Sequence, residues 1–345
     1  MILGHKSQIF IGKEATYGAT PTYAEASWYD CELYARPGSR PRKTSSTSVS
    51  PFITGGYGIS SSSFIKGKYQ VDGGYSLYLA THGMHHLLYM ATGDADADGD
   101  TEEASGTIEI GTITAGVDNI IPSCSILHAF QETNAEFEGT LYNGMMLNQL
   151  SISCGGEDSL AEMTVGFLGK NEVWVDASDD IAVANLEQPH KPGEYFIGWK
   201  SRLQIGGTHY PFYDFSMSLN NNLTFPDFIQ AGVLSQDKPE RSTLRDVSGS
   251  FTLALEGEST YDGILNDMFN ATQKTIQMQF FRYDDQITNG SPSESFTINF
   301  PKAIILGDGS PGSIDAGLLR IPVSFRATSG NSTIPTSEVT FTTVN

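Results

Sequence analysis

Gly67-Lys68-Tyr69-Gln70-Val71 returns later in the chain as Gly249-Ser250-Phe251-Thr252-Leu253. Both stretches put a glycine first, an aromatic two residues on and an aliphatic two beyond that, the period of an extended strand with one apolar face. Each is followed by one helical pattern, and these patterns end at Ala91-Thr92 and Ala271-Thr272. Further on, Met163-Thr164-Val165-Gly166-Phe167 is matched by Ile321-Pro322-Val323-Ser324-Phe325. The matches keep their order in both halves. The spacing is too long for a solenoid repeat of about 20–50 residues. It points instead to two copies of one β-rich unit, each carrying a single helix.

The helical patterns are one-sided. Leu77, Ala80, Met84, Leu87, Leu88 and Ala91 fall at helical spacing, as do Tyr261, Ile264, Leu265, Met268 and Phe269. Such stripes lay a helix on a sheet. Ser259 with Asp262 forms a plausible capping pair at the second start. Strand signals dominate elsewhere. Phe215, Met217 and Leu219 alternate with serines, and Ile276, Met278 and Phe280 alternate with glutamines. Phe296, Ile298 and Phe300 keep the same period, and Gln8–Ile11, Trp28–Ala35 and Val339–Val344 read as further strands. Asn289-Gly290 and Asp308-Gly309 are turn pairs. The chain is therefore expected to be mainly β. An N-terminal arm covers 1–26, a first β unit 27–175, a linker 176–194 and a second β unit with a C-terminal tail 195–345.

Composition supports this. The chain has 345 residues, enough for about two domains, with 36 glycines and only 17% charged residues. The net charge of −20 favours solubility and opposes a surface that grips phosphate. Cys31, Cys124 and Cys154 are an odd number without CxxC spacing, so they read as small core residues, not as a disulfide framework or a zinc site. No stretch approaches about 18 apolar residues, and the start lacks a signal-peptide pattern, which suggests folding in a cytoplasm.

The segment from Arg36 to Ser63 stands apart. It gathers Arg36, Arg40, Arg42 and Lys43, then Ser and Thr, with Phe52, Ile53 and Ile59 as its few apolar residues. A loose loop and a long β-hairpin that orders against an acidic neighbour are both open readings.

Candidate chemistry is thin. Asp94, Asp96, Asp98 and Asp100 resemble the opening of a calcium loop, but the position that needs a bidentate Glu is Ser105. They remain a weak metal candidate beside the simpler reading of a solvated acidic loop. His82 and His86 share a helix face, yet Gly83 stands where a metalloprotease has its Glu. No nucleophile elbow, dinucleotide fingerprint or phosphate loop occurs. No enzyme and no cofactor are expected.

Gly12-Lys13-Glu14-Ala15-Thr16-Tyr17-Gly18-Ala19-Thr20-Pro21 resembles the N-terminal signature of tail tube (major tail) proteins of long-tailed bacteriophages, with Ala15 where Thr is common. The order Phe215–Leu223 with Asn220-Asn221-Asn222, then Arg241–Leu255, then Tyr261–Phe269 is similar to the larger members. The resemblance implies two tandem tube-like β-sandwich or barrel units, each flanked by one α-helix. It implies a virion structural protein, assembled in the host bacterial cytoplasm into stacked rings that conduct DNA during ejection. The partners would be further copies in homotrimeric pseudo-hexameric rings (alternatively homohexamers), other tail proteins at the tube ends, and tape measure protein and DNA in the lumen, with no membrane. The 36–63 segment corresponds to the family's loop to the adjacent ring, so Arg36, Arg40, Arg42, Lys43, Phe52, Ile53 and Ile59 are the expected inter-ring contacts. The alternative is a secreted adhesin or carbohydrate-binding β-sandwich using Trp28, Trp174 and Trp199.

Overall fold

The computed structural model describes residues 7–21, 28–30, 40–49, 64–80, 84–93, 106–110, 121–131, 137–156, 159–175, 195–196, 198–226, 237–255, 258–281, 295–307, 313–315, 318–328 and 338–344. The first half carries β1 (Ser7–Lys13), β2 (Trp28–Asp30), β3 (Arg42–Val49), β4 (Phe64–Tyr78), α1 (Met84–Thr92), β5 (Gly106–Ile110), β6 (Cys124–Gln131), β7 (Phe137–Gly155), β8 (Glu162–Gly169) and β9 (Asn171–Val175). The second carries β10 (Arg202–Ile205), β11 (Thr208–Tyr210), β12 (Phe212–Asn220), β13 (Leu223–Thr224), β14 (Glu240–Arg241), β15 (Asp246–Leu255), α2 (Glu258–Phe269), β16 (Gln273–Phe281), β17 (Ser295–Leu306), β18 (Ser313–Asp315), β19 (Leu318–Ala327) and β20 (Val339–Val344).

Among the described residues every ladder is antiparallel, and all strands but the β13–β14 pair join one network that does not close into a barrel. The alternating patterns explain the arrangement. On β12, Phe215, Met217 and Leu219 turn inward, on β16 Ile276, Met278 and Phe280, and on β19 Ile321, Val323 and Phe325; all are buried. Their rings pack together: Phe300 meets Phe325 edge-on at 4.8 Å and Phe296 stacks on Phe341 at 6.0 Å. A continuous apolar cluster runs from Ile9 and Val71 through Phe167 to Phe251 and Phe341, so both halves share it. A smaller cluster of Phe10, Trp28, Leu127 and Val175 lies on the other face of β1 and β6. Trp28 is fully buried, so it offers no exposed platform for a sugar. α1 packs on β7 and β5, and α2 on β17.

The pairing scheme is laid down twice. β1 pairs with β2 and β6, as β10 pairs with β11 and β16. β4 pairs with β3 and β8, as β15 pairs with β12 and β19. β7 takes β6, β8 and β9 along its length, as β17 takes β16, β19 and β20. The register identifies the true counterparts. Gly73 faces Phe167, Tyr75 faces Val165 and Leu77 faces Met163. Gly249 faces Phe325, Phe251 faces Val323 and Leu253 faces Ile321.

The counterpart of Gly249–Leu253 is thus Gly73–Leu77, and not Gly67–Val71. The two candidates lie on one 15-residue strand, displaced by an even number of residues. An even step keeps the same face inward, so pattern alone cannot choose between them. Leu77 accordingly belongs to β4, and the first helix begins at Met84. The second begins at Glu258, one residue ahead of Ser259. Val339–Val344 forms β20 with the bounds read from sequence. The linker 176–194 and the turns at Asn289 and Asp308 lie outside the described residues.

Candidate assembly surface and its anchors

The phrase after β1 folds around one carboxylate. β1 is held on both edges by β2 and β6, and at its end the Glu14 side chain turns inward and is buried. Glu14 Oε1 accepts from Ser125 Oγ and from Gly144 N, both at 2.7 Å, and Oε2 accepts from Gly18 N at 2.6 Å. The Glu14 amide donates to Ser123 O. A carboxylate has acceptor capacity for all three donors, so each of its oxygens is satisfied where it is buried. Gly144 (φ 68°) lies under the Tyr17 ring, where a Cβ would come within 2.9 Å of it. Tyr17 also takes the Lys170 ammonium 5.4 Å from its ring centre. Burial raises the Tyr17 phenol well above its ordinary range, with Glu14 and then Asp237 adding to the effect.

A second anchor joins the two sets of strands. Asn221 is fully buried after β12. Its Nδ2 donates to Ala91 O at the end of α1 and to Leu147 O on β7, both at 2.9 Å. Its Oδ1 accepts from Arg245 Nε at 2.9 Å, and its amide donates to Asn148 O. Asn148 Oδ1 in turn accepts from Leu223 N at 2.7 Å. Asn222, next along, adopts φ 52°, which Asn tolerates better than most residues. Burial lowers Arg245 to about 10, assisted by Arg241 and opposed by Glu338. Burial also raises the Glu338 carboxyl, which Arg245 pulls back down.

The sequence-derived contact residues divide. Arg40, Arg42 and Lys43 are exposed, on β3 or just before it. β3 forms a hairpin with β4, Arg42 opposite Asp72 and Lys43 opposite Val71. The Lys43 ammonium lies 3.8 Å from the Tyr69 ring centre and donates to Asn171 Oδ1 at 2.9 Å. The Lys43 amide donates to Glu172 Oε2 at 2.6 Å. Arg36, Phe52, Ile53 and Ile59 lie outside the described residues, as do Asp94, Asp96, Asp98, Asp100 and His82. Among the described residues no three metal-ligating side chains gather, and no helix is long and apolar enough to cross a membrane.

A cleft between the end of β7 and β10–β12 is lined by Cys154, Arg202, His209 and Tyr213. Burial pushes the Cys154 thiol up to about 12, aided by Asp214, so it is a protonated core thiol and a poor nucleophile at neutral pH.

Sequence reading missed both anchors. Glu14 lies in the Gly12–Pro21 phrase and Asn221 in the Asn220–Asn222 run, yet their roles depend on Gly144 and Leu147, distant in the chain. The usable signal was position: a carboxylate and an amide that continue the inward side of apolar strands.

A family described as phage tail tube protein matches residues 4–337. No curated protein matches the chain.

Proposed function

On the premise that the chain belongs to the phage tail tube protein family, as its match over residues 4–337 establishes, we propose that it is a non-enzymatic virion subunit that assembles into stacked rings forming the conduit for DNA ejection. Two tandem units, residues 27–175 together with β1 of the N-terminal arm and residues 195–345, would supply two ring positions per chain, so three chains make a ring of six pseudo-equivalent positions. The observation that carries this reading is the doubled pairing scheme, β1–β2–β6 with β3–β4–β8–β7–β9 and β10–β11–β16 with β12–β15–β19–β17–β20.

Stacking of rings is a head-to-tail contact that propagates without closing. The segment beyond β3, with Phe52, Ile53 and Ile59, is the part assigned to the adjacent ring. Its partners along the tube are further copies, and at the ends other tail proteins. The lumen accommodates tape measure protein and then DNA. The net charge of −20 keeps phosphate from adhering, so DNA slides. Subunits fold and assemble in the host cytoplasm.

Negative-stain microscopy of concentrated subunit tests this. Hollow tubes of one diameter are expected. A chain that stays monomeric at every concentration and is absent from virion tails would sink the proposal. Replacing residues 51–62 by a short Gly-Ser linker is expected to leave a folded subunit that forms rings and no long tubes; normal tubes from that variant would remove the segment from the ring-stacking contact.

A further inference from the structure

The ladder between β7 and β12 joins the two sets of strands and has no second copy within the chain. It runs from Asn220 opposite Gln149 to Asp214 opposite Gly155. The doubled scheme makes β12 the counterpart of β3. It makes β17, continued by β18, the counterpart of β7: Ser313 faces Arg320 on β19 as Ser153 faces Glu162 on β8. One edge of each kind is therefore left over. Among the described residues β3 pairs only with β4. β17 beyond Ile304, together with β18, pairs only with β19.

We infer that a second copy of this chain joins these two edges, repeating the β7–β12 ladder between subunits. The register follows from the counterparts. Lys43 opposite Val71 corresponds to Leu219 opposite Val247, and Arg42 opposite Asp72 to Ser218 opposite Ser248. Arg40–Thr44 of one copy then lies antiparallel to the neighbour's edge as Ser216–Asn220 lies to Gln149–Ser153. Arg40 comes opposite Ser313, and Thr44 opposite Leu306.

Three features of the edges fit this occupant. Leu306 is a large apolar side chain left 45% exposed at the receiving edge. Arg40, Arg42 and Lys43 are exposed cations on the entering strand or just before it, and the chain they would meet carries a net charge of −20. Opposite charges at such a seam steer approach and fix register. In the single chain the outward Lys43 amide is covered by Glu172, the kind of charged protection that keeps an edge strand from pairing prematurely.

The contact is heterologous, so it closes into a ring when the rotation between successive units closes. It rests on the tube reading for its place in the particle, and it assigns Arg40, Arg42 and Lys43 to the seam within a ring.

Two cysteine pairs test it: Arg40→Cys with Ser313→Cys, and Thr44→Cys with Leu306→Cys, each pair in one chain. Assembled protein is oxidised and run on a non-reducing gel beside oxidised wild type, which reports background from Cys31, Cys124 and Cys154. Covalent dimers and trimers, with nothing beyond the trimer, are expected. In unmodified protein, hydrogen exchange at amides 40, 42–45, 306–307 and 313–315 is expected to slow at least tenfold on assembly. Tubes that form without cross-links and without slower exchange at these amides overturn the seam while leaving the tube function standing. Cross-linked trimers that never stack keep the seam and overturn the tube.

Discussion

Glu14→Ala isolates the anchor around which the family phrase folds. The carboxylate serves Ser125 Oγ and Gly144 N in buried positions and Gly18 N in a half-buried one. Truncation leaves the buried Gly144 N–H without an acceptor, at about 1–2 kcal/mol, and the Gly18 N–H at roughly 0.5–1 kcal/mol, since water reaches it more easily, while the Ser125 hydroxyl keeps Asn143 Oδ1 at 3.2 Å and loses about 0.5 kcal/mol. The loss of packing where Tyr17 crosses Gly144 adds to this. The expected destabilisation is about 3 kcal/mol, a large share of a typical folding free energy of about 5–15 kcal/mol. Glu14→Gln keeps one oxygen for Ser125 and Gly144 but turns an amide N–H toward the Gly18 N–H, so about 2 kcal/mol is expected. Urea unfolding of dilute subunit, followed by tryptophan fluorescence, gives both numbers; Trp28 packs on Gly12 beside this turn and reports directly. An alanine variant within 1 kcal/mol of wild type, or a glutamine variant as unstable as alanine, refutes the idea that charge-assisted acceptance holds the turn.

Other perturbations probe the rest of the frame. Asn221→Ala removes bonds to Ala91 O, Leu147 O and Arg245 and is expected to cost about 3 kcal/mol in the same assay, whereas Asn220→Ala is expected to cost about 1 kcal/mol through Asn222 N. Gly249→Ala brings a Cβ within 2.5 Å of Ser216 O on the paired strand and of the Phe325 ring; a loss of about 3 kcal/mol is expected by thermal or urea unfolding, and an unchanged midpoint contradicts the register. His128 is held neutral, lowered from 6.5 to about 4 by burial and secondarily by Arg40. The unfolded chain binds that proton and the folded chain does not, so stability falls as pH drops from 6.5 toward 4. Wild type is expected to lose roughly 2–3 kcal/mol more than His128→Gln between pH 8 and pH 4.5, read from urea midpoints; parallel curves for the two proteins contradict the assignment.

Sequence made the β character, the two helices and the inward residues of β12, β16, β17 and β19 readable, because alternation and helical stripes are local signals. It also showed that something repeats. It misplaced the first copy on β4, because Gly67–Val71 and Gly73–Leu77 have the same spacing and face, and only pairing with Phe167, Val165 and Met163 separates them. Arg40, Arg42 and Lys43 were legible as a basic cluster and are exposed together, but the edge they occupy is defined by which strand does not lie beside β3. The capping of the Lys43 amide by Glu172 had no local signature, being a contact between distant parts of the chain. Glu14 and Asn221 continue the inward sides of β1 and β12, but the partners that satisfy them, on β6, β7 and α1, are set by the fold alone.

The central claim is that one chain supplies two successive positions of a ring that stacks into a tube. Cryo-electron microscopy of assembled subunit, reconstructed without imposed sixfold symmetry, tests it most directly. A hollow tube is expected, with three chains per ring and six pseudo-equivalent positions, β3 of each chain lying beside β17 and β18 of the next. A ring of six chains, or a tube in which β3 faces solvent, would contradict it.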